Sequence, residues 1–126
     1  MSMREIHQTG PYCYTYSPFH PPIATVEPGE KVSIYTLDAF ENKMTPQVRR
    51  FADVCTYPFL NPQTGPILVS GAEPGDTLVV KIHEITPTRD HAVTGTIPYF
   101  GGLTSTPLDP KLQLPLEEQW LFLPIE

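Results

Sequence analysis

Asp38 follows Thr36-Leu37 at the end of a predicted strand. A strand end is a good platform from which a carboxylate can project into a site, as metal ligand or as general base. The same position suits an Asp that ends the strand and caps a turn, and spacing alone favours that second role. Asn61-Pro62-Gln63-Thr64-Gly65-Pro66 is a compact turn just ahead of an apolar stretch. Asn61 or the backbone amides of this loop could hold an amide or its oxyanion, although turn chemistry accounts for the same residues. Glu73 could be a ligand, but it stands before Pro-Gly, where it is a natural turn residue. His7, His20, His83 and His91 show no mutual ligand spacing. His83 sits in an apolar strand, where a satisfied sheet histidine is the commoner outcome. His91 follows Asp90, which could orient its imidazole.

The common signatures are absent. There is no G-x-S-x-G nucleophile elbow, no H-E-x-x-H, no Cys-x-x-Cys and no phosphate-binding glycine loop. Net charge is −6 and the eight basic residues are scattered. This argues against a nucleic-acid partner, whose affinity would come largely from phosphate neutralisation by Lys and Arg. No apolar run approaches the roughly 20 residues needed to span a membrane, and the N-terminus has no apolar signal core. Cys13 and Cys55 fit no metal spacing and read as reduced thiols. A cytoplasmic protein is expected, acidic for solubility.

The elements that must position these residues are short. Sixteen prolines in 126 residues stand mostly at the borders of apolar stretches. Proline fixes φ and lacks a donor, so long helices are excluded. A single β-rich domain spanning residues 1–126 is predicted: mainly β, a sandwich- or barrel-like arrangement of short strands with Pro-Gly turns, and at most one or two short helices. Glu27-Pro28-Gly29-Glu30 and Glu73-Pro74-Gly75-Asp76 are turns of one kind, each leading into a strand. They could mark a duplicated turn–strand unit, although one turn chemistry used twice is the simpler account. Residues 31–36 alternate polar and apolar, and residues 67–69 and 77–85 are the strongest strands. Residues 45–55 are the one helix candidate, with Thr45 as N-cap and Pro46 at the first helical position, and an ordered loop is the alternative for the same stretch. Residues 94–106, rich in Gly, Thr and Pro, form a long loop of the kind that often binds ligands. The last stretch of the sequence, Gln119-Trp120-Leu121-Phe122-Leu123-Pro124-Ile125-Glu126, is apolar, looks cut off or like one half of an interface, and expects something to pack on.

Three segments together resemble the acetamidase/formamidase family of amidases. They are Val26-Glu27-Pro28-Gly29-Glu30-Lys31-Val32 running on to Thr36-Leu37-Asp38-Ala39-Phe40, then Asn61-Pro62-Gln63-Thr64-Gly65-Pro66-Ile67, then Gly71-Ala72-Glu73-Pro74-Gly75-Asp76-Thr77-Leu78-Val79-Val80-Lys81-Ile82. Each alone is a weak signal, but their order and gaps are specific, and they cover roughly residues 20–103. The resemblance is to the N-terminal part of the family.

The resemblance implies a mainly β architecture and hydrolysis of a small linear amide, such as formamide or acetamide, to ammonia and a carboxylate. It further implies a divalent metal, zinc or calcium, and an oligomer. It marks Asp38 as the candidate active-site carboxylate and metal ligand, Asn61 as a second catalytic candidate, and Gly65 and Glu73 as substrate-binding candidates. Family members continue with a Gly-Gly-Asn-x-Asp stretch and an acidic, His-containing segment that this sequence lacks. The expectation is therefore an enzyme part that is inactive without a C-terminal half. That half would be a second chain, or the sequence is a fragment or a short non-catalytic relative. Rival readings are a non-catalytic β-rich binding or assembly subunit and a hydrolase of a larger or cyclic amide.

Overall fold

Because proline flanks nearly every apolar stretch, backbone hydrogen bonding is confined to short runs. The structure, a computed structural model, describes residues 3–101 and 116–125. Among them are six strands and one 3₁₀ turn, the mainly β make-up that the sequence predicts. They fall into two compact units: Met1–Lys43 with Cys55–Lys81, and Met44–Val54 with Ile82–Glu126.

The first unit carries β1 (Arg4–Ile6), β2 (Ala24–Val26), β3 (Val32–Ile34) and β4 (Ile67–Val69). β1 and β3 pair in parallel with Arg4 opposite Val32 and Ile6 opposite Ile34. The ladder runs on through the Tyr35 amide to the Ile6 carbonyl (3.2 Å). Ile6, 4% exposed, is the buried residue of this pair. β2 and β4 also pair in parallel, with Ala24 opposite Ile67 and Val26 opposite Val69. The bonds from Ile23 N to Pro66 O (2.9 Å) and from Ser70 N to Val26 O (2.8 Å) extend that ladder at both ends.

Between β2 and β3 the chain reverses at Glu27-Pro28-Gly29-Glu30. The Glu30 amide donates to the Glu27 carbonyl (3.0 Å), Gly29 takes φ +83°, and the Glu30 carboxylate accepts the Glu27 amide (2.9 Å). Proline presets the second position, and glycine supplies the positive φ of the third. The second turn repeats every part of this. The Asp76 amide donates to the Glu73 carbonyl (3.1 Å), Gly75 has φ +103°, and the Asp76 carboxylate accepts the Glu73 amide (2.9 Å).

The second unit is organised by β5 (His91–Thr96) and β6 (Gln119–Pro124), an antiparallel pair with His91 opposite Pro124 and Gly95 opposite Trp120. Trp120 lies across the bare backbone of Gly95. A Cβ there would come within 2.5 Å of the indole Cε3 and of the Gln119 carbonyl oxygen, so only glycine fits. The indole N–H donates to Glu118 (3.0 Å), whose carboxylate also accepts the Phe51 amide. That contact fixes the start of the 3₁₀ turn at Phe51–Asp53, where Phe51 is buried.

Four expectations are revised. Residues 45–55 do not form a helix. A turn closes from Val48 N to Thr45 O (2.9 Å), and a 3₁₀ turn follows, but Arg50 between them is extended at φ −135°, ψ 133°. One extended residue ends the i→i+4 ladder, and single turns do not propagate alone. Of the expected loop over residues 94–106, Thr94, Gly95 and Thr96 belong to β5. A turn closed from Phe100 N to Ile97 O (3.1 Å) follows, while residues 102–106 lie outside the described residues. The apolar stretch near the end of the sequence is not left without a partner; it is β6, paired with β5 along six residues. Residues 77–85, the strongest predicted strand, form no strand, and no backbone hydrogen bond joins them to another described residue.

Candidate active site

Asp38 sits just beyond β3, half-buried, in a tight double turn. Its Oδ1 accepts the amides of Phe40 (2.9 Å) and Asn42 (2.7 Å), while the Asn42 side-chain oxygen accepts the Asp38 amide (3.2 Å). Backbone bonds from Glu41 N to Asp38 O (3.1 Å) and Lys43 N to Phe40 O (3.0 Å) close the loop. Glu41 and Asn42 both take positive φ, 56° and 57°, a conformation that costs a non-glycine residue about 1–2 kcal/mol. The surrounding bonds hold it there. The turn-capping role that spacing favoured is thus present, and it also fixes the orientation of the carboxylate.

Asn61 lies against this loop. Its amide donates to the Ala39 carbonyl (2.9 Å), so the two residues that the sequence singled out for catalysis stand on neighbouring loops of one unit. Asn61 is exposed, has φ 58°, and its side-chain amide makes no hydrogen bond among the described residues. The amide of Gln63 donates to the Cys13 carbonyl (2.9 Å) and that of Gly65 to Gln8 Oε1 (2.9 Å). The Thr64 hydroxyl donates to the Tyr35 carbonyl (2.8 Å). The loop's amides at 61, 63 and 65 are therefore spent on holding the loop. The Asn61 side-chain amide, exposed at the loop, remains available as a donor. Gly65 is buried and shapes the loop from within.

Glu73 lies in the second Pro-Gly turn and is exposed. No hydrogen bond or ion pair joins its side chain to Asp38, Asn61 or Gly65 among the described residues. The structure brings the loops of Asp38 and Asn61 together through the Asn61–Ala39 backbone bond and holds Glu73 in the turn role that the sequence also allowed.

Three further polar side chains gather at the Asp38 loop. The Tyr14 hydroxyl donates to Glu41 Oε1, and Lys43 forms an ion pair with the other Glu41 oxygen. Hydrogen bonding to Glu41 raises the Lys43 pKa above its ordinary value. Cys55 is buried, and its thiol donates to the Phe40 carbonyl (3.7 Å). Burial pushes that thiol's pKa up, which disfavours the thiolate a nucleophile needs. Sequence reasoning missed Tyr14, Glu41 and Lys43. The alternation of Glu41 and Lys43 directly after the Asp38 motif was a usable signal for two of them. Tyr14, 27 residues away from Glu41, had none.

Both cysteines are free. Elsewhere Asp90 meets His91 Nδ1 (2.8 Å), the carboxylate-oriented imidazole that their adjacency suggested, and this bond lowers the Asp90 pKa. No set of three His, Cys, Asp or Glu able to hold a metal ion is formed among the described residues. Asp38 has a carboxylate of the type that zinc or calcium takes as a ligand, and the described residues alone do not form a metal site. No described helix is long and apolar enough to cross a membrane.

The sequence model of the acetamidase/formamidase family matches residues 3–113, and the chain belongs to this family. Among solved structures it is similar to the acetamidase from Yersinia enterocolitica, at 32% identity and a TM-score of 0.73. That match covers 100% of this chain and 40% of the acetamidase, so the chain spans well under half of its relative's length. No curated protein gives a significant match.

Proposed function

We propose that this chain is one part of an amidase that hydrolyses a small linear amide, such as formamide or acetamide, to ammonia and a carboxylate. The observation that carries the reading is family membership over residues 3–113; the oriented Asp38 carboxylate supports it. In this reading Asp38 is the general base. It takes a proton from water as the water oxygen bonds to the amide carbon, and the carbonyl becomes a tetrahedral oxyanion. The Asn61 side-chain amide donates to that oxyanion. Collapse of the intermediate breaks the C–N bond, and the proton held by Asp38 passes to the leaving nitrogen, which departs as ammonia. Gly65 keeps the Asn61 loop in shape, and Glu73 stands as a more remote substrate contact.

A divalent metal, zinc or calcium, would take Asp38 as one ligand and find the others outside the described residues, so no step is assigned to it. The portion of the fold that this chain does not span would complete the site, from a second chain or within a homo-oligomer, in the cytoplasm. In the complete assembly, Asp38→Asn should lower kcat/KM for formamide or acetamide at least about 100-fold. An unchanged value would remove Asp38 from the mechanism. Ammonia release measured over formamide, acetamide, and larger or cyclic amides would separate a small-amide enzyme from a relative with a wider substrate range. A β-rich assembly subunit would release none.

A further inference from the structure

Within residues 77–85, Leu78-Val79-Val80 is the unbroken apolar run of a strand covered on both faces, yet the structure leaves it bare. Leu78, Val79 and Val80 are 68%, 84% and 72% exposed, and Ile82 and Ile85 are exposed as well. Neighbouring side chains of an extended chain point to opposite faces, so three consecutive exposed apolar residues mean that both faces are open. Both edges are open too, since no backbone hydrogen bond reaches these residues among those described. Near-continuous Val, Ile and Leu is the pattern of strands buried inside a sheet. An apolar edge left open is an invitation to pair.

The first unit shows what is missing. β2 and β4 lie side by side in parallel, and each is followed by the same Glu-Pro-Gly-acid turn. After the first turn comes β3, paired with β1. After the second come residues 77–81, with no strand among the described residues in the place of β1. The chain meanwhile spans only 40% of the acetamidase that it resembles along its whole length, so the larger part of that fold has no counterpart here.

We propose that residues 77–81 are a docking strand, completed by strand addition from a polypeptide carrying the part of the acetamidase fold that this chain does not span. This rests on reading the chain as part of an amidase. Main-chain bonds along the strand provide affinity, and pockets for Leu78, Val79 and Val80 provide register.

The test mixes the full 126-residue chain with a separately expressed polypeptide comprising the residues of the Yersinia enterocolitica acetamidase outside the match. A 1:1 complex by analytical ultracentrifugation is expected, with amide hydrogen exchange across residues 77–81 slowed at least tenfold. Adjacent N–H groups point to opposite edges, so Val79→Pro or Val80→Pro must weaken the complex, while protection in β1 and β3 shows that the unit still folds. The proposal is overturned by a complex in which residues 77–81 still exchange freely, or by the absence of a complex between folded partners. Protection that appears in the chain alone and grows with its concentration, as pairing with a second copy would give, also overturns it. Ammonia release is read separately. A protected complex that releases none sinks the amidase reading and leaves the docking strand standing. An active complex with residues 77–81 still bare does the reverse.

Discussion

The two Pro-Gly turns of the first unit are built alike and lead to different ends. Each closes with the same backbone bond, the same positive-φ glycine, and a carboxylate from its fourth residue on the amide of its first. The first delivers β3 onto β1 and is tied down from outside, because Arg4 of β1 donates to the Thr25 carbonyl (2.9 Å) and to Glu30 (3.3 Å). Among the described residues the second delivers residues 77–81 to no backbone partner, and no ion pair reaches Asp76. A turn can be fully encoded locally, then, while the strand it launches is not. Turn geometry needs four residues, whereas a strand needs another strand, and that partner is set by the rest of the fold.

The sharpest way to break this comparison is to remove one side chain from each strand system. Ile6→Ala, which empties a buried position in β1, should cost about 2–4 kcal/mol. Val79→Ala, at an exposed site, should stay within about 0.5 kcal/mol. Urea unfolding followed by hydrogen exchange in β1 and β3 reads both. An equal loss would mean that residues 77–81 already have a partner in the isolated chain.

The glycines give a smaller contrast. A Cβ on Gly29 or Gly75 meets nothing within 4 Å, so only the positive φ opposes it. Gly29→Ala should cost about 1 kcal/mol. Gly75→Ala should cost less in the isolated chain, since the turn it distorts aligns nothing, and should approach the Gly29 value once a complementary strand is bound. Thermal melts with and without that strand decide between these outcomes.

The smallest effect concerns Glu30. Its carboxylate is held below the usual range first by the Glu27 amide and then by Arg4. A depressed carboxylate stabilises the fold above its unfolded pKa of about 4.3, and that contribution is lost as pH falls through the folded value. Glu30→Gln should therefore flatten the acid limb of the urea midpoint against pH and leave the neutral region nearly unchanged. A limb of unchanged steepness would show that the bonds to Glu30 do not bias the fold.

Wherever structure was local, the sequence was readable. Both turns, together with β3 and β4, follow from proline, glycine and alternation. The turns that hold Asp38 and Asn61 were also legible, because each belongs to a short segment with its own turn chemistry. Partnership was not legible. The expected helix over residues 45–55 had caps and spacing but was broken at Arg50. The apolar end of the chain, expected to need something to pack on, pairs with β5, whereas residues 77–85, expected as a strand, have no backbone partner among the described residues. Tyr14 escaped notice because only the folded chain brings it to Glu41.

Trp120 is the only tryptophan in the sequence, and it rests on Gly95 with its N–H on Glu118, all within the second unit. Intrinsic fluorescence is thus a reporter with a restricted field of view. An emission-monitored unfolding curve follows the β5–β6 pair and is blind to the loops of Asp38 and Asn61. If the two units melt at different denaturant concentrations, the optical midpoint will belong to the one that carries neither candidate catalytic residue.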